Sequence, residues 1–312
     1  MSKILLESGT NELEILEFVV GGNYYGINVA KVKEIINYQP LTPVPNSHPC
    51  IEGAFMTRGE TLSIINLAKA IGMREEVDEK NNMFLVTNFN QLGVGFHVHG
   101  VVGIHRVSWS QIIKPDSTIS SSDRSVVTGI INLNGKLVVI LDFEKIVAEI
   151  TPETGMQLSD VDRLGTRKKN TAPIIYAEDS QLLSLQIYEA LTKAGYTRVL
   201  PMNNGLEVWN LLQDYVKEGT IEENCKCIIT DIEMPQMDGH RLLKLVKEHP
   251  VLRDIPVIIF SSLINEEMKK KGEELGADAQ MSKSELGEFI HAVDRILSER
   301  ESSKDKKEAD GE

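Results

Sequence analysis

Five residues carry most of the chemistry that can be read from this chain: Glu178, Asp179, Asp231, Ser261 and Lys283. Each group closes a short apolar run. Glu178 and Asp179 follow Pro173-Ile-Ile-Tyr-Ala, Asp231 follows Cys227-Ile-Ile-Thr, Ser261 follows Val257-Ile-Ile-Phe, and Lys283 follows Ala279-Gln-Met-Ser. Such runs read as buried parallel strands. In an open α/β sheet the carboxyl ends of the strands deliver residues to a ligand. Three carboxylates gathered there repel one another unless a hard cation sits among them. Mg²⁺ suits the position, because it takes oxygen ligands and is held by one or two carboxylates together with phosphate oxygens. A carboxylate beside it can attack phosphorus, and a hydroxyl and an ammonium can bind the phosphoryl oxygens. The residue set predicts a phosphoryl-accepting site.

The elements that must position this set alternate strictly. Strands are expected at 173–178, 197–201, 226–231, 256–261 and 279–282, with helices at 181–194, 204–217, 238–248, 266–275 and 285–298. Five βα units with right-handed crossovers give a doubly wound, flavodoxin-like parallel sheet of five strands with helices on both faces. Asp238 is expected to cap the helix that begins near Gly239. The connector 217–225 carries no chemistry that its residues define.

The first half reads differently. Ile51-Glu-Gly-Ala-Phe-Met-Thr-Arg-Gly-Glu-Thr-Leu-Ser-Ile-Ile-Asn-Leu-Ala-Lys-Ala-Ile aligns without gaps on the segment that starts at Val127, at one offset of 76 residues. Gly53 meets Gly129, Gly59 meets Gly135, and Asn66 meets Asp142. Each copy reads as strand, tight turn, strand, and a short helix capped by Asn66 or Asp142; Asn134-Gly135 between apolar runs is a strong hairpin signal. Further strands are expected at 14–21, 24–28, 82–89, 91–98 and 101–107, so this half is an all-β domain of two related barrels. Val29, Val32, Ile35 and Ile36 stand at helical spacing and read as core. His97 and His99 share one strand face with His105 nearby. With no third ligand in view they read as solvent-facing rather than as a metal site. Arg106 and Trp109 follow a strand, and a buried Trp is the simpler reading.

Bulk properties narrow the function. The net charge of −13 divides into −4 up to residue 150 and −9 beyond it. Neither half offers the basic face that nucleic acid requires. Cys50, Cys225 and Cys227 make no even framework and read as core or edge thiols of a reducing cytosol. No run approaches the roughly 20 apolar residues of a membrane span, so a cytoplasmic protein is expected. The boundaries expected are a first domain over 1–150, a polar linker over 151–171 that holds Lys168 and Lys169, a second domain over 172–298, and a disordered charged tail over 299–312.

Residues 173–298 resemble the response-regulator receiver domain, through Glu178-Asp179-Ser180, Asp231-Ile-Glu-Met-Pro-Gln-Met-Asp-Gly239, Pro256-Val-Ile-Ile-Phe-Ser261-Ser262, Gly276-Ala-Asp and Lys283. The resemblance implies that Asp231 is the phosphoacceptor and that Asp179, Asp231 and the Glu233 carbonyl hold Mg²⁺, with Glu178 acting through water. Ser261 and Lys283 would contact the phosphoryl group. Two positions depart from the pattern. Gln280 stands where receivers usually place an aromatic. Ser284 stands where a Pro joined by a cis bond is usual, so either Lys283 sits on strained backbone or its loop is built differently.

Residues 10–150 resemble CheW, the coupling protein of bacterial chemotaxis, through Tyr25-Gly-Ile-Asn-Val-Ala-Lys-Val-Lys-Glu34-Ile35 and the Gly53, Arg58-Gly59, Ile64-Ile-Asn66-Leu67 hairpin. CheW-like followed by receiver resembles the CheV family. That resemblance implies an adaptor between chemoreceptors and the histidine kinase CheA, recruited to receptor arrays, switched by phosphorylation and serving adaptation. It places partner contacts at Glu34, Ile35, Arg58 and Gly59, although Glu34 and Arg58 each read equally as a solvated charge. The same residues would also serve a drain for phosphoryl groups, or a scaffold with a silent receiver.

Overall fold

The computed structural model describes residues 11–57, 59–73, 82–89, 92–113, 126–151, 161, 165, 167–262, 264 and 266–309. The chain divides into two compact units, one over Glu12–Gly155 and one that comprises Met1–Asn11 and Met156–Glu312.

The first unit contains ten strands among the described residues: β1 (Glu12–Val20), β2 (Asn23–Asn28), β3 (Val32–Asn37), β4 (Ile51–Thr57), β5 (Glu60–Asn66), β6 (Met83–Phe89), β7 (Leu92–Val98), β8 (Val101–Ser108), β9 (Val127–Leu133) and β10 (Lys136–Leu141). They form two five-stranded mixed sheets, ordered β8-β1-β2-β10-β9 and β3-β6-β7-β5-β4. The sequence repeat is a structural one. Ser63 of β5 pairs in parallel with Val94 of β7, and 76 residues later Val139 of β10 pairs in parallel with Tyr25 of β2. Each sheet curls until the chain beyond its first edge strand meets its last. Thr42 bridges Ala54 of β4 and Ile113 bridges Ile130 of β9, again one repeat apart on β4 and β9. These bridges give each sheet the barrel form the pattern predicts. The hairpin turns also match: Gly59 and Gly135 both have φ +84, a conformation that glycine adopts without steric cost. Helices α1 (Leu67–Ala70) and α2 (Phe143–Ile150) start at the expected caps, with Asn66 Oδ1 accepting from the Lys69 amide and Asp142 Oδ1 from the Lys145 amide, both at 2.9 Å.

Two readings of this unit are corrected. The segment around Val29–Ile36 is a 3₁₀ turn followed by β3, and Ile35 is 44% exposed. Pairing with β6 sets its period at two, which turns Ile35 outward. His97 does not face solvent. Its Nδ1 lies 2.8 Å from Glu52 Oε2, and Asn66 Nδ2 donates to Glu52 Oε1 at 2.5 Å. Burial pushes Glu52 up, but its hydrogen bonds to His97 and Asn66 and the charges of His97 and Lys69 outweigh this and leave it below the usual carboxylate value.

The second unit is the parallel α/β sheet. Strands β11 (Ile174–Ala177), β12 (Val199–Met202), β13 (Cys227–Thr230), β14 (Val257–Ser261) and β15 (Ala279–Ser282) run in the order β12-β11-β13-β14-β15 with every pairing parallel. The helices are α3 (Gln181–Lys193), α4 (Gly205–Glu218), α5 (Ile221–Asn224), α6 (Gly239–Glu248), α7 (Glu266–Glu274) and α8 (Leu286–Ala309). The apolar runs send alternate side chains to opposite faces. Tyr176, Ile229 and Phe260 pack with Leu191 of α3 and Phe289 of α8, whereas Ile175, Ile228 and Ile259 pack with Leu212 of α4 and Leu243 of α6. Cys225 and Cys227 are buried thiols, and burial pushes Cys225 up to about 12, as befits core cysteines.

Three segments differ from the sequence reading. The connector 217–225 contains α5, which buries Ile221. The latter part of the expected linker is bound to this unit: Val161 enters the core beside Leu191 and Leu297, Arg167 pairs with Asp294, and Asn170 bridges Tyr196. A polar composition hid these anchors because each is a single residue in an otherwise polar stretch of sequence. Helix α8 also runs on through the charged tail to Ala309. Glu, Lys and Ala are strong helix formers, so a composition that forbids burial does not forbid a helix.

Candidate phosphoryl-accepting site

All five residues singled out from the sequence stand at the carboxyl edge of the parallel sheet. Glu178 and Asp179 follow β11, Asp231 follows β13, Ser261 ends β14 and Lys283 follows β15. Glu178, Asp231, Ser261 and Lys283 are buried. Carboxylate oxygens of Glu178, Asp179 and Asp231 all lie within 4.8 Å of one another. Lys283 Nζ donates to Asp231 Oδ2 at 2.7 Å and lies 2.7 Å from Glu178 Oε2. The other oxygens of these two acids take backbone donors, Ile232 N on Asp231 Oδ1 at 2.6 Å and Ser180 N on Glu178 Oε1 at 3.2 Å. Asp231 is thereby fixed in rotation, with one oxygen held at the mouth of the site. Glu233 lies two residues on, in the loop that leads to α6.

One ammonium among three carboxylates leaves the cluster net negative. Burial, and then the charges of Asp231 and Asp179, push Glu178 well above the usual carboxylate value against the pull of Lys283. An all-oxygen donor set in this electrostatic state fits a hard divalent cation such as Mg²⁺. Glu178, Asp179 and Asp231 are the acids grouped closely enough to hold it.

The backbone supports the site at Asp238-Gly239. Asp238 Oδ1 accepts from the Arg241 amide at 2.8 Å, the expected N-cap of α6. Gly239 passes so close to Asp231 that an added Cβ would overlap its carbonyl oxygen. No cis peptide bond occurs among the described residues, so Lys283-Ser284 is trans and the loop is built differently from the cis-Pro pattern.

Comparison with known proteins gives the context. Residues 14–151 match the CheW-like domain and residues 174–294 the response regulator receiver domain. The chain is 30% identical over 302 residues to the chemotaxis protein CheV3 of Helicobacter pylori, covering 92% of this chain and 95% of that one. The chain belongs to the CheV family. It is also 27% identical to CheV2 of the same organism, over 88% of this chain and 90% of that one. CheW of Thermotoga maritima matches at 28% identity over 48% of this chain and 98% of its own length. As a CheV-family member the protein is a chemotaxis coupling protein with a receiver, an adaptor architecture rather than that of a dedicated enzyme. Among the described residues no helix is long and apolar enough to cross a membrane.

The residues expected at partner contacts are less sharply placed. Glu34 is half-buried and Ile35 exposed on β3, Gly59 is exposed at the β4–β5 turn, and Arg58 lies outside the described residues. Lys33, beside Glu34, pairs with Glu60, beside Gly59, at 3.3 Å, so β3 and the β4–β5 turn are neighbours.

One buried group in this CheV-family receiver escaped the sequence reading. His240, on the first turn of α6, is buried, and its Nε2 has no hydrogen-bond partner among the described residues. Burial pulls its pKa down to about 3, and the charge of Lys271 adds to this. The unfolded chain takes up this proton near pH 6.5, whereas the folded one resists it. The stability present above pH 6.5 is therefore lost as pH falls toward 3. At pH 5 the loss is about 2 kcal/mol relative to neutral pH. Asp238 and Glu178, both pushed up, act in the opposite sense, so the His240 part is read as a difference. Between pH 7.5 and 5 the urea midpoint of the wild type should fall further than that of His240→Leu, by the equivalent of about 2 kcal/mol. Parallel slopes for the two proteins would refute this.

Proposed function

We propose that this protein couples chemoreceptors to the histidine kinase CheA through its CheW-like unit, and that phosphorylation of Asp231 adjusts the coupling during adaptation. The observation that carries the reading is the position of Lys283, with its ammonium 2.7 Å from both Glu178 and Asp231 at the mouth of a receiver fused to a coupling module. Asp231 attacks the phosphorus of a kinase phosphohistidine. The P–N bond breaks as the P–O bond forms, and the departing imidazole takes up a proton from solvent. Asp179, Asp231 and the Glu233 carbonyl would hold Mg²⁺, with Glu178 acting through water, and the ion would supply countercharge for the phosphoryl oxygens. Ser261 and Lys283 bind those oxygens directly. The product adds about −1.5 to −2 charges beside them, and a coupling free energy of about 1–3 kcal/mol suffices to alter how the adaptor engages its partners. The protein works in the cytoplasm at receptor arrays.

The test has two stages. Intact mass after treatment with acetyl phosphate and Mg²⁺ should show one phosphoryl group, absent in Asp231→Ala and after chelation. Kinase activity in reconstituted receptor arrays should then differ between phosphorylated and unphosphorylated adaptor. An adduct with unchanged kinase activity would leave a phosphoryl drain. No adduct, with CheA phosphohistidine also failing as donor, would leave a scaffold.

A further inference from the structure

The loop between β13 and α6 runs from Asp231 to Gly239, and its backbone is strained at the tip. The Met237 amide donates to the Pro235 carbonyl at 2.8 Å, and Gln236 between them has φ +69. These are the marks of the rarer form of γ-turn. A non-glycine residue persists there only where its surroundings over-determine it. Part of the hold comes from within the receiver: Met234 and Met237 are buried, and the Met237 carbonyl accepts from the Gly205 amide at 3.1 Å. The rest comes from the other end of the chain. Asn11 Nδ2 donates to the Gln236 carbonyl at 2.8 Å, and Asn11 Oδ1 accepts from the Asp238 amide at 3.2 Å. One side-chain amide thus ties the two backbone groups on either side of Met237. A carboxylate could not replace it, because it would set an oxygen against the Gln236 carbonyl. Asn11 itself stands at φ +62, a conformation that Asn tolerates better than most residues. It ends the Met1–Asn11 stretch that belongs to the receiver's unit, and β1 begins at the next residue, Glu12.

We propose that Asn11 is a positioning residue for phosphoryl uptake: its amide holds the strained turn at Gln236 and so fixes the loop that carries the Glu233 carbonyl. The inference rests on Asp231 being the phosphoacceptor, with Mg²⁺ bound beside it. The loop is pinned at its base, where the Gly239 amide donates to the Ile232 carbonyl at 2.9 Å. Glu233 lies between that base and the turn. Released from Asn11, Gln236 relaxes toward negative φ, and the carbonyls that precede it turn with it. The Asp231 carboxylate is held separately, by Lys283 Nζ and by the Ile232 amide. The acceptor therefore keeps its place while the carbonyl side of the cation site loosens. The loss falls on affinity for Mg²⁺ and not on the rate of transfer at saturation.

Asn11→Gly in the full chain is the discriminating variant, because glycine keeps the left-handed backbone at this position and removes only the amide. Hydrogen exchange followed by mass spectrometry, without Mg²⁺ or phosphoryl donor, should show the amides of 233–238 exchanging about fivefold faster than in the wild type, the scale of one net hydrogen bond. Exchange at β11 and β13 should not change and serves as the folding control. Intact mass after acetyl phosphate, followed across a Mg²⁺ titration, gives the second readout. Half-maximal uptake should need about fivefold more Mg²⁺, with the rate at saturating Mg²⁺ within about twofold of wild type. A receiver that was merely destabilised would lose uptake at every Mg²⁺ concentration. Gln236→Gly adopts the turn without strain, so adding it to Asn11→Gly should recover at least half of the Mg²⁺ response. Asn11→Asp, which keeps the acceptor and loses the donor, should fall as far as Asn11→Gly. Wild-type exchange at 233–238 in a folded Asn11→Gly would overturn the hold on the turn. Faster exchange with an unchanged Mg²⁺ requirement, or a loss equal at all Mg²⁺ concentrations, would overturn the positioning role. Absence of any adduct in the wild type would overturn that role together with the reading of Asp231 beneath it, while exchange would still report the hold on the turn.

Discussion

Lys283→Met is expected to destabilise the receiver by about 3–5 kcal/mol at pH 7 in the absence of divalent cation, the usual cost of removing one partner from a buried ion pair. The side chain is 1% exposed and neutralises two acids that are themselves buried. Met fills the space but leaves Glu178, Asp179 and Asp231 facing one another within 4.8 Å. Coulomb repulsion then exceeds what is recovered in apolar packing. Three controls separate this electrostatic cost from a packing defect. Mg²⁺ should restore part of the loss in Lys283→Met and do less in Glu178→Gln, which lacks one of the repelling charges. The double variant Lys283→Met/Glu178→Gln should recover at least half of the single variant's deficit, because it removes the charge that the lysine balanced. Acidification should also narrow the deficit. The folded-state pKa of Glu178 is already raised, and loss of Lys283 raises it further, so the folded receiver takes up a proton before the unfolded chain does. This slope is opposite in sign to that of His240. Urea unfolding of the single and double variants at pH 7 and pH 5, with and without Mg²⁺, checks all three. A deficit independent of pH, Mg²⁺ and Glu178 would mean that packing, not charge, sets the cost.

How much of this was legible in the sequence depends on whether the information was local. Each site residue directly follows a short apolar run, so the strand pattern alone placed Glu178, Asp179, Asp231, Ser261 and Lys283 at one sheet edge. The caps Asn66, Asp142 and Asp238 were likewise readable, since a cap is decided within three residues. Contacts between distant residues were not. His97 and Glu52 are 45 residues apart, and their strands flank β5, so no period within one strand reports the pair. At Val29–Ile36 two periods fit the same residues, and pairing with β6 decided for the strand. Gln280 stood out as a departure, but its partners did not: its Nε2 donates to the Lys269 carbonyl at 2.7 Å, and its amide lies in the notch left by Gly272. The available signal was the glycine inside Lys-Lys-Lys-Gly-Glu-Glu, which costs helix stability and so calls for a packing reason. Val161 and Arg167 lie in a segment whose composition reads as solvent, and only their partners in the fold show them to be anchors.

The largest effect expected from the smallest change is at Gly239. Gly239→Ala adds one methyl group where its carbon would overlap the Asp231 carbonyl oxygen and come within 2.9 Å of the carbonyl carbon and 3.0 Å of Thr230 Oγ1. A flexible side chain can yield to such a clash, but two of these three atoms are backbone. That backbone is fixed on both sides: β13 pairs with β11 and β14, and the Asp231 amide donates to the Ala177 carbonyl at 3.0 Å. Helix α6 is fixed in turn by the Asp238 cap and by the Gly239 amide, which donates to the Ile232 carbonyl at 2.9 Å. Relief must come from moving α6 or the 231–238 loop. Overpacking of this kind costs about 1–3 kcal/mol and more where backbone cannot move, so about 3 kcal/mol is expected, against a gain of at most about 1 kcal/mol from the helix preference of alanine. The same displacement moves the Asp231 carboxylate away from Lys283 and from the Ile232 amide that orients it. Phosphoryl uptake from acetyl phosphate should therefore fall by at least about tenfold even at temperatures where the variant stays folded. Gly219, at φ +71 with no atom within 4 Å of an added Cβ, is the control. Gly219→Ala should lower stability through its left-handed backbone by about 1 kcal/mol and leave phosphoryl uptake unchanged. If Gly239→Ala took up phosphoryl groups at the wild-type rate, the close approach of α6 to Asp231 would not be what holds the acceptor in place.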